Sequence, residues 1–406
     1  MTISESIKDI RFKGLEKYDC SKIVGFLSEA DKWNSKISLW HCILNILFFS
    51  FFDNRKYVIK ETKGCQKNLF AYNDLHAIRA DMYNMLQDVF NCSPDASFVE
   101  LTKSIRIKNP KDIFSLIKLQ FLWLSKLISV TGLSFSRIMA VVSAFVKTKT
   151  IIARLDKFKN YQNVIVCYDA NFIDNVPAQF FKVKGGKSIT LQHGVMCASK
   201  NVPYYGIWFR CFISDYFLAW NNLTREEAVK EGIPVNKVVV CGIAKCINTS
   251  KIVSPKNRII GLLLDGYDFI NVGIIKVAND FCRKYGYKYV LRYHPNYKGN
   301  EYNNIILSDY YVGNNRETLY EYAQKVEFTL QGNSTALMEL LYMGHPTYVF
   351  STDNEVEIYP EFIRVSHNVK ELEDLIKSES YLNDISDRLV SVKDIKKEYT
   401  SFFESL

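Results

Sequence analysis

From Asn163 onward, short apolar runs alternate with amphipathic segments, and the alternation occurs twice. The first series is a strand at Asn163–Asp169, a helix at Phe172–Val183, strands at Lys187–Gln192 and Tyr216–Trp220, a helix at Thr224–Glu231 and a strand at Lys237–Cys241. A polar stretch, Ile247–Asn257, containing Asn248, Thr249, Ser250, Ser254 and Pro255, reads as a linker. The second series begins with a strand at Arg258–Leu264 that ends in Asp265-Gly266. It continues with a helix at Ile270–Tyr285, a strand at Tyr287–Tyr293, a short strand near Ile305–Leu307 and a helix from about Arg316 to Lys325. Parallel strands require long crossovers, so this rhythm predicts parallel sheets covered by helices on both faces. The expected fold is α/β: two Rossmann-like, doubly wound domains facing a cleft, with a largely helical N-terminal region. The expected boundaries are 1–252 (helical over 1–150, α/β over 151–252) and 253–406.

The second series closes with its most informative stretch, Val326–Phe350. A short apolar strand ends in Gln331-Gly332-Asn333-Ser334-Thr335 and passes directly into the helical run Ala336–Met343. Ser334 or Thr335 can cap that helix, and a helix N-terminus with free first-turn N–H groups and the positive dipole end is a ready phosphate site. Gly344-His345-Pro346 ends the helix, and Thr347–Phe350 reads as the next buried strand. A Ser-Thr pair before a helix is by itself only a cap. Here Arg292 and His294 stand at the end of a preceding strand, the edge at which open α/β sheets bind ligands. Two cationic or donor groups and a helix N-terminus facing one crevice point to a bound anion.

The first half offers its own candidates. His193, in Leu191-Gln192-His193-Gly194, follows a strand end, and an imidazole that titrates near neutrality can take a proton from a hydroxyl or, when charged, hold a phosphate. Asp169, at the neighbouring strand end, is a second candidate base; its carboxylate can instead orient His193, or cap the helix that begins near Phe172. Tyr204, Tyr205, Trp208 and Phe209 follow His193. Aromatic faces of this kind suit sugar rings, and a buried aromatic cluster is the commoner reason for such residues.

Composition narrows the partners. The net charge of +9 fits nucleic acid, an anionic membrane surface or phosphorylated substrates, and the lack of an arginine-rich tract or zinc-finger spacing makes nucleic acid the weakest of these. Ten cysteines without a CxxC pair, and a polar, charged Met1–Lys22, point to reduced thiols in a cytoplasmic protein. Six histidines without HxxxH or HExxH spacing give no support to a metal centre. Met1 to about Lys149 reads as mainly helical, with one early strand at Lys56–Lys60. Within it, Ile37–Phe52 is apolar but shorter than the roughly 20 residues a span requires, and Phe114–Val146 is interrupted by Lys118, Lys126 and Arg137. Packed helices are expected for both, with peripheral attachment to an anionic lipid surface allowed by the basic, amphipathic pattern.

Over about Asn163–Phe350 the chain resembles glycosyltransferases of the GT-B fold. The likeness rests on two α/β halves, the His193-Gly194 loop, His294-Pro295, the Ser334-Thr335 turn and Glu339. More closely, it resembles bacterial surface-polysaccharide enzymes: capsule and O-antigen transferases, sialyl- and Kdo-transferases, and polyol-phosphate transferases. The resemblance implies that His294, Gly332, Asn333, Ser334 and Thr335 hold the phosphates of a nucleotide donor, a cytidine or uridine nucleotide, with Arg292 adding charge and Glu339 reaching the donor ribose or sugar. It implies His193 as the base, although Leu191-Gln192 departs from the flanking residues usual in the polyol-phosphate group. The implied activity is metal-independent transfer of a sugar from a nucleotide-sugar to a hydroxyl of a growing capsule or O-antigen glycan, with no further cofactor, at the inner face of the cell membrane and with a lipid-linked acceptor. A polyol-phosphate transferase, a nucleotide-sugar 2-epimerase of the same architecture and a non-catalytic glycan-assembly subunit are the alternatives.

Overall fold

The computed structural model describes residues 2–25, 27, 38–73, 80–196, 207–264, 268–294, 300–314, 317–332, 334–352, 363–378 and 380–406. Asn333, Pro295, Asp265-Gly266, Tyr204 and Tyr205 lie outside them, as does the side chain of Trp208. Among the described residues the strands form two sheets.

The first sheet contains β1 (Phe52–Lys63), β2 (Asn68–Tyr72), β3 (Ala96–Ile107), β4 (Asn163–Val166), β5 (Lys187–Leu191), β6 (Tyr216–Ala219) and β7 (Val238–Val240). Their spatial order is β1-β3-β2-β4-β5-β6-β7; β1 pairs antiparallel with β3, and the remaining pairs are parallel. The second sheet contains β8 (Ile259–Leu263), β9 (Lys288–Arg292), β10 (Tyr311–Asn314), β11 (Phe328–Gln331), β12 (Thr347–Phe350) and β13 (Val365–Ser366). It is wholly parallel, in the order β10-β9-β8-β11-β12-β13. Counted from β8, this is the doubly wound order 3-2-1-4-5-6, whose direction reverses between β8 and β11 and so leaves a crevice beyond their C-terminal ends. β4, β11 and β12 are buried along their whole length, as strands covered on both faces must be. The helix Ala336–Met343 stops where Gly344 enters the left-handed region at φ 78° and donates its N–H to the Leu340 and Leu341 carbonyls, a conformation glycine adopts without a Cβ penalty.

The N-terminal region is largely helical, with helices at Leu39–Phe51, Ala80–Asn91, Pro110–Val130 and Phe135–Leu155. The early strand expected at Lys56–Lys60 falls inside the longer β1, and β2 and β3 join it. Phe135–Leu155 is the packed helix of the group, burying Val141, Val142, Phe145 and Ile151 among others. Pro110–Val130 buries only Leu116, Trp123 and Leu127, and by length and composition it is long and apolar enough to cross a membrane. In the second half the short strand expected near Ile305–Leu307 is absent. There the Ile305 carbonyl accepts from Asn279 Nδ2 at 2.9 Å and the Leu307 N–H donates to Tyr289 Oη at 3.3 Å. Side chains thus take the bonds a ladder would have used, and the edge strand forms later, as β10.

The linker is pinned under the second half, with Ile252 N–H on the Met343 carbonyl at 2.8 Å and Ser254 Oγ 2.7 Å from His345 Nδ1. The last helix, Ile395–Ser405, follows the second half in sequence but packs on the first sheet. Phe403 meets Phe70 with ring centroids 5.4 Å apart, Phe402 meets Tyr216 at 5.5 Å, and the buried Tyr399 donates to the Gly242 carbonyl at 3.3 Å. At Gly242 an added Cβ would come within 2.8 Å of Ile395, so this close crossing requires glycine. One continuous apolar core therefore joins the halves.

Candidate functional site

The wall from the first half is built on the ends of β4, β5 and β6. Gln192, fully buried, accepts from the Trp220 N–H at 2.6 Å through Oε1 and donates through Nε2 to the Gly194 carbonyl at 2.8 Å and to Thr224 Oγ1 at 3.2 Å. One side chain thus ties the His193-Gly194 turn to β6. The His193 ring, half-buried, packs on Tyr168 with centroids 4.5 Å apart. The Tyr168 N–H in turn donates to Asp174 Oδ2 at 2.9 Å, while Asp174 Oδ1 accepts from Asn73 Nδ2 at 2.5 Å and Asn73 Oδ1 from Tyr57 Oη at 2.6 Å. Burial pushes the Asp174 carboxyl up to about 7 against these hydrogen bonds. This chain lies between β2 and β4, where the first sheet reverses its strand order.

Asp169 is buried beside it. Its Oδ2 accepts from the Ile213 and Ser214 N–H groups at 3.0 and 2.8 Å, and burial raises its pKa while those bonds lower it. The carboxylate therefore anchors the loop that leads into β6. It does not cap the Phe172–Val183 helix, whose cap position is Asn171. Of the aromatic residues after His193, Phe209 is buried against Phe217, the core role rather than a sugar platform.

The opposite wall is the end of β11 and the helix it feeds. Gly332 is buried, and Ser334 and Thr335 are half-buried. Thr335 occupies the cap position in helical conformation and makes no side-chain cap bond. Its Oγ1 instead accepts from the Val195 N–H of the first half at 3.3 Å. The first-turn N–H groups of Ala336, Leu337 and Met338, expected to be free for phosphate, are engaged within the turn. Leu337 N–H donates to the Ser334 carbonyl and Met338 N–H to the Thr335 carbonyl, each at 3.1 Å, and Ala336 N–H reaches Ser334 Oγ at 3.4 Å. What this end offers an anion is the dipole and the Ser334 hydroxyl.

Arg292 ends β9, next to β8. It donates to the Glu317 carbonyl and lies 6.0 Å from the Tyr322 ring, and burial lowers its pKa while Tyr322, Glu339 and Glu317 act to raise it. His294 is half-buried two residues further on. Glu339, one turn into the helix, faces Lys245 Nζ at 3.6 Å, and the same Nζ meets Asp81 Oδ2 at 3.0 Å. Lys245 thus ties the Ala80–Asn91 helix to Glu339. Sequence reading missed Lys245, Gln192 and Asp174; only Asp174, just past a strand end in a helix first turn, carried a local signal. Among the described residues no three His, Cys, Asp or Glu side chains group as metal ligands.

No family model matches the chain, and no curated protein matches it in sequence. Solved structures share its fold. UDP-GlcNAc 2-epimerase from Methanocaldococcus jannaschii superposes with a TM-score of 0.51 at 13% identity, over 84% of this chain and 100% of that one. UDP-N-acetylglucosamine 2-epimerase from Rickettsia bellii gives 0.50 at 11% identity, over 85% and 96%. The lipopolysaccharide outer core galactosyltransferase WaaB in its apo form gives 0.48 at 12% identity, over 84% and 100%. At these identities what the two epimerases share with this chain is the two-sheet α/β architecture.

Proposed function

We propose that the chain is a nucleotide-sugar-dependent glycosyltransferase that moves a sugar from a cytidine or uridine nucleotide donor to a hydroxyl of a growing capsule or O-antigen glycan, without a metal ion. The observation that carries this reading is the Val195–Thr335 contact. It sets the His193 turn against the helix start beyond β11, at the crevice where the second sheet reverses. In this reading a proton acceptor and an anion-stabilising end lie side by side, and the donor occupies the crevice next to their contact.

In this reading His193 accepts the proton of the acceptor hydroxyl, whose oxygen forms the new bond to the anomeric carbon as the bond from that carbon to the donor phosphate breaks. Charge develops on the departing phosphate. In this account the helix dipole, Ser334, His294 and Arg292 stabilise it, and Glu339, paired with Lys245 in the unliganded chain, serves the donor ribose or sugar. Preorganised groups of this kind supply catalysis by meeting charge as it forms. Asp169 remains the weaker base, because its carboxylate already holds two backbone N–H groups. The acceptor in this account is lipid-linked, and the enzyme works on the cytoplasmic side of the membrane.

The test is a thermal-shift screen against CMP, CDP, UDP, GDP and dTDP with and without Mg²⁺, since a ligand of the folded state raises apparent stability by mass action. A magnesium-independent shift with one pyrimidine nucleotide supports the reading; no shift with any of them counts against it. The likeness to two 2-epimerases favours one second reading, interconversion of the nucleotide-sugar itself. That needs no acceptor, so conversion of UDP-GlcNAc by the protein alone would establish it in place of transfer.

A further inference from the structure

The Leu39–Phe51 helix turns an apolar stripe outward. Trp40, Leu44, Leu47, Phe48 and Phe51, spaced as i, i+4, i+7, i+8 and i+11, are all exposed, Trp40 to 74%, while Cys42, Ile46 and Ser50 are buried. A water-facing helix shows the reverse. The neighbouring Pro110–Val130 helix repeats the pattern: Phe114, Phe121 and Ile128, seven residues apart, are exposed, Phe114 to 73%. Ile105 and Ile107, at the end of β3, extend this face. An apolar surface on three adjoining elements exceeds the scattered exposure normal for a water-soluble face and marks an interaction site.

A groove of about 790 Å³ opens beside it, between β1, the end of β3 and the helices Pro110–Val130 and Phe135–Leu155. Lys56 and Arg106, both exposed, line it; Lys108, Lys149 and Lys157 also line it with their Nζ atoms on the Phe49, Gly14 and Tyr57 carbonyls, and of its acids Asp53, Asp112 and Asp156 the first is paired with Arg154. The exposed Ile107 is on the groove lining as well as on the apolar face. Ser115, another lining residue, shares a helix flank with the exposed Leu122 seven residues on, so groove and stripe adjoin.

We propose that this face docks on an anionic lipid bilayer, with the aromatic stripes in the acyl boundary and the groove's lysines and arginines in the phosphate layer. An amphipathic surface joining aromatic and aliphatic side chains to cations binds such interfaces through both terms at once. Charge decides against a second copy as the occupant. An isologous contact through this face would set two basic grooves side by side, whereas lipid phosphates neutralise them. The proposal stands on the surface alone and does not depend on the donor site, though it would bring the cleft to where a lipid-linked acceptor lies.

Flotation of the full chain with vesicles of phosphatidylcholine, with and without phosphatidylglycerol, tests it. Binding is expected only with the anionic lipid. Trp40→Ser/Phe114→Ser/Phe121→Ser, all exposed positions, should abolish it while the circular dichroism spectrum and any nucleotide-induced thermal shift persist. Lys56→Glu/Arg106→Glu should lower the bound fraction about tenfold and flatten its salt dependence. Failure of the parent chain to float with either vesicle overturns the proposal, as does flotation unchanged by the triple substitution. A concentration-dependent dimer in analytical ultracentrifugation that the triple substitution dissolves, without vesicle binding, overturns it in favour of a second copy.

Discussion

The Val195 N–H donates to Thr335 Oγ1 at 3.3 Å, joining the turn after β5 to the helix after β11 over 140 residues of sequence. Thr335 therefore leaves its own helix without a side-chain cap and bridges to the first half instead. Gly194 makes the approach possible: a Cβ there would already lie 3.3 Å from the same oxygen.

Thr335→Val removes that acceptor while keeping the volume. The variant should lose about 1 kcal/mol of stability, the net worth of one hydrogen bond, and should show faster amide exchange at Val195 in hydrogen-exchange measurements, with Gln192 still holding Gly194. Unchanged exchange at Val195 would show the contact to be absent in solution.

Ser334→Ala and His294→Ala should each reduce turnover about 10²–10³-fold, the usual cost of removing one donor aimed at developing charge, with unfolding curves close to those of the parent. Turnover within a few-fold of the parent in both would remove these residues from the site.

Lys245 joins Asp81 and Glu339. Lys245→Met and Glu339→Gln should therefore be non-additive: a double-mutant cycle measured by urea unfolding should give a coupling of about 0.5–3 kcal/mol, the range for residues in contact. Additivity would mean that the ion pair contributes nothing to holding the halves together.

Burial holds the His345 imidazole at about 4, down from 6.5, and leaves it neutral beside Ser254. Its folded-state pKa is depressed, so between about pH 6.5 and pH 4 the unfolded chain binds a proton that the native one does not. The contribution is complete above the unfolded pKa and is lost as pH falls toward the folded value, roughly 3 kcal/mol in all. Unfolding free energies at about pH 7.5 and about pH 5 should thus differ less for His345→Asn than for the parent.

The second half was the more legible. There β8, β9, β11 and β12 fall where the apolar runs placed them and the Ala336–Met343 helix ends at Gly344, because runs of consecutive apolar residues and a glycine stop are local signals; β10, β13 and the three helices after β13 went unread. The Ile305–Leu307 triplet misled, since three apolar residues look the same whether they face a sheet neighbour or the side chains of Asn279 and Tyr289. In the first half, β2 and β3 escaped notice among helical patterns, and β3 mixes buried Phe98 and Val99 with exposed Arg106 and Ile107. The site showed the same division. His193, Arg292 and Ser334 stand at strand ends or turns, where residue type and position can be read together. Lys245 is one of 52 lysines and arginines, and nothing local distinguishes it. The Val195 donor is a backbone group, which leaves no mark on a sequence at all.

In the proposed reaction a nucleotide lies against Ser334 and His294 while His193 serves the acceptor side. Calorimetric titration of the pyrimidine nucleotide found in the thermal-shift screen, into the parent, Ser334→Ala and His193→Ala, tests it most directly. Binding should be at least about tenfold weaker for Ser334→Ala, a difference of about 1.4 kcal/mol, and unchanged for His193→Ala. Equal affinity in the parent and Ser334→Ala, or loss of binding in His193→Ala alone, would contradict it.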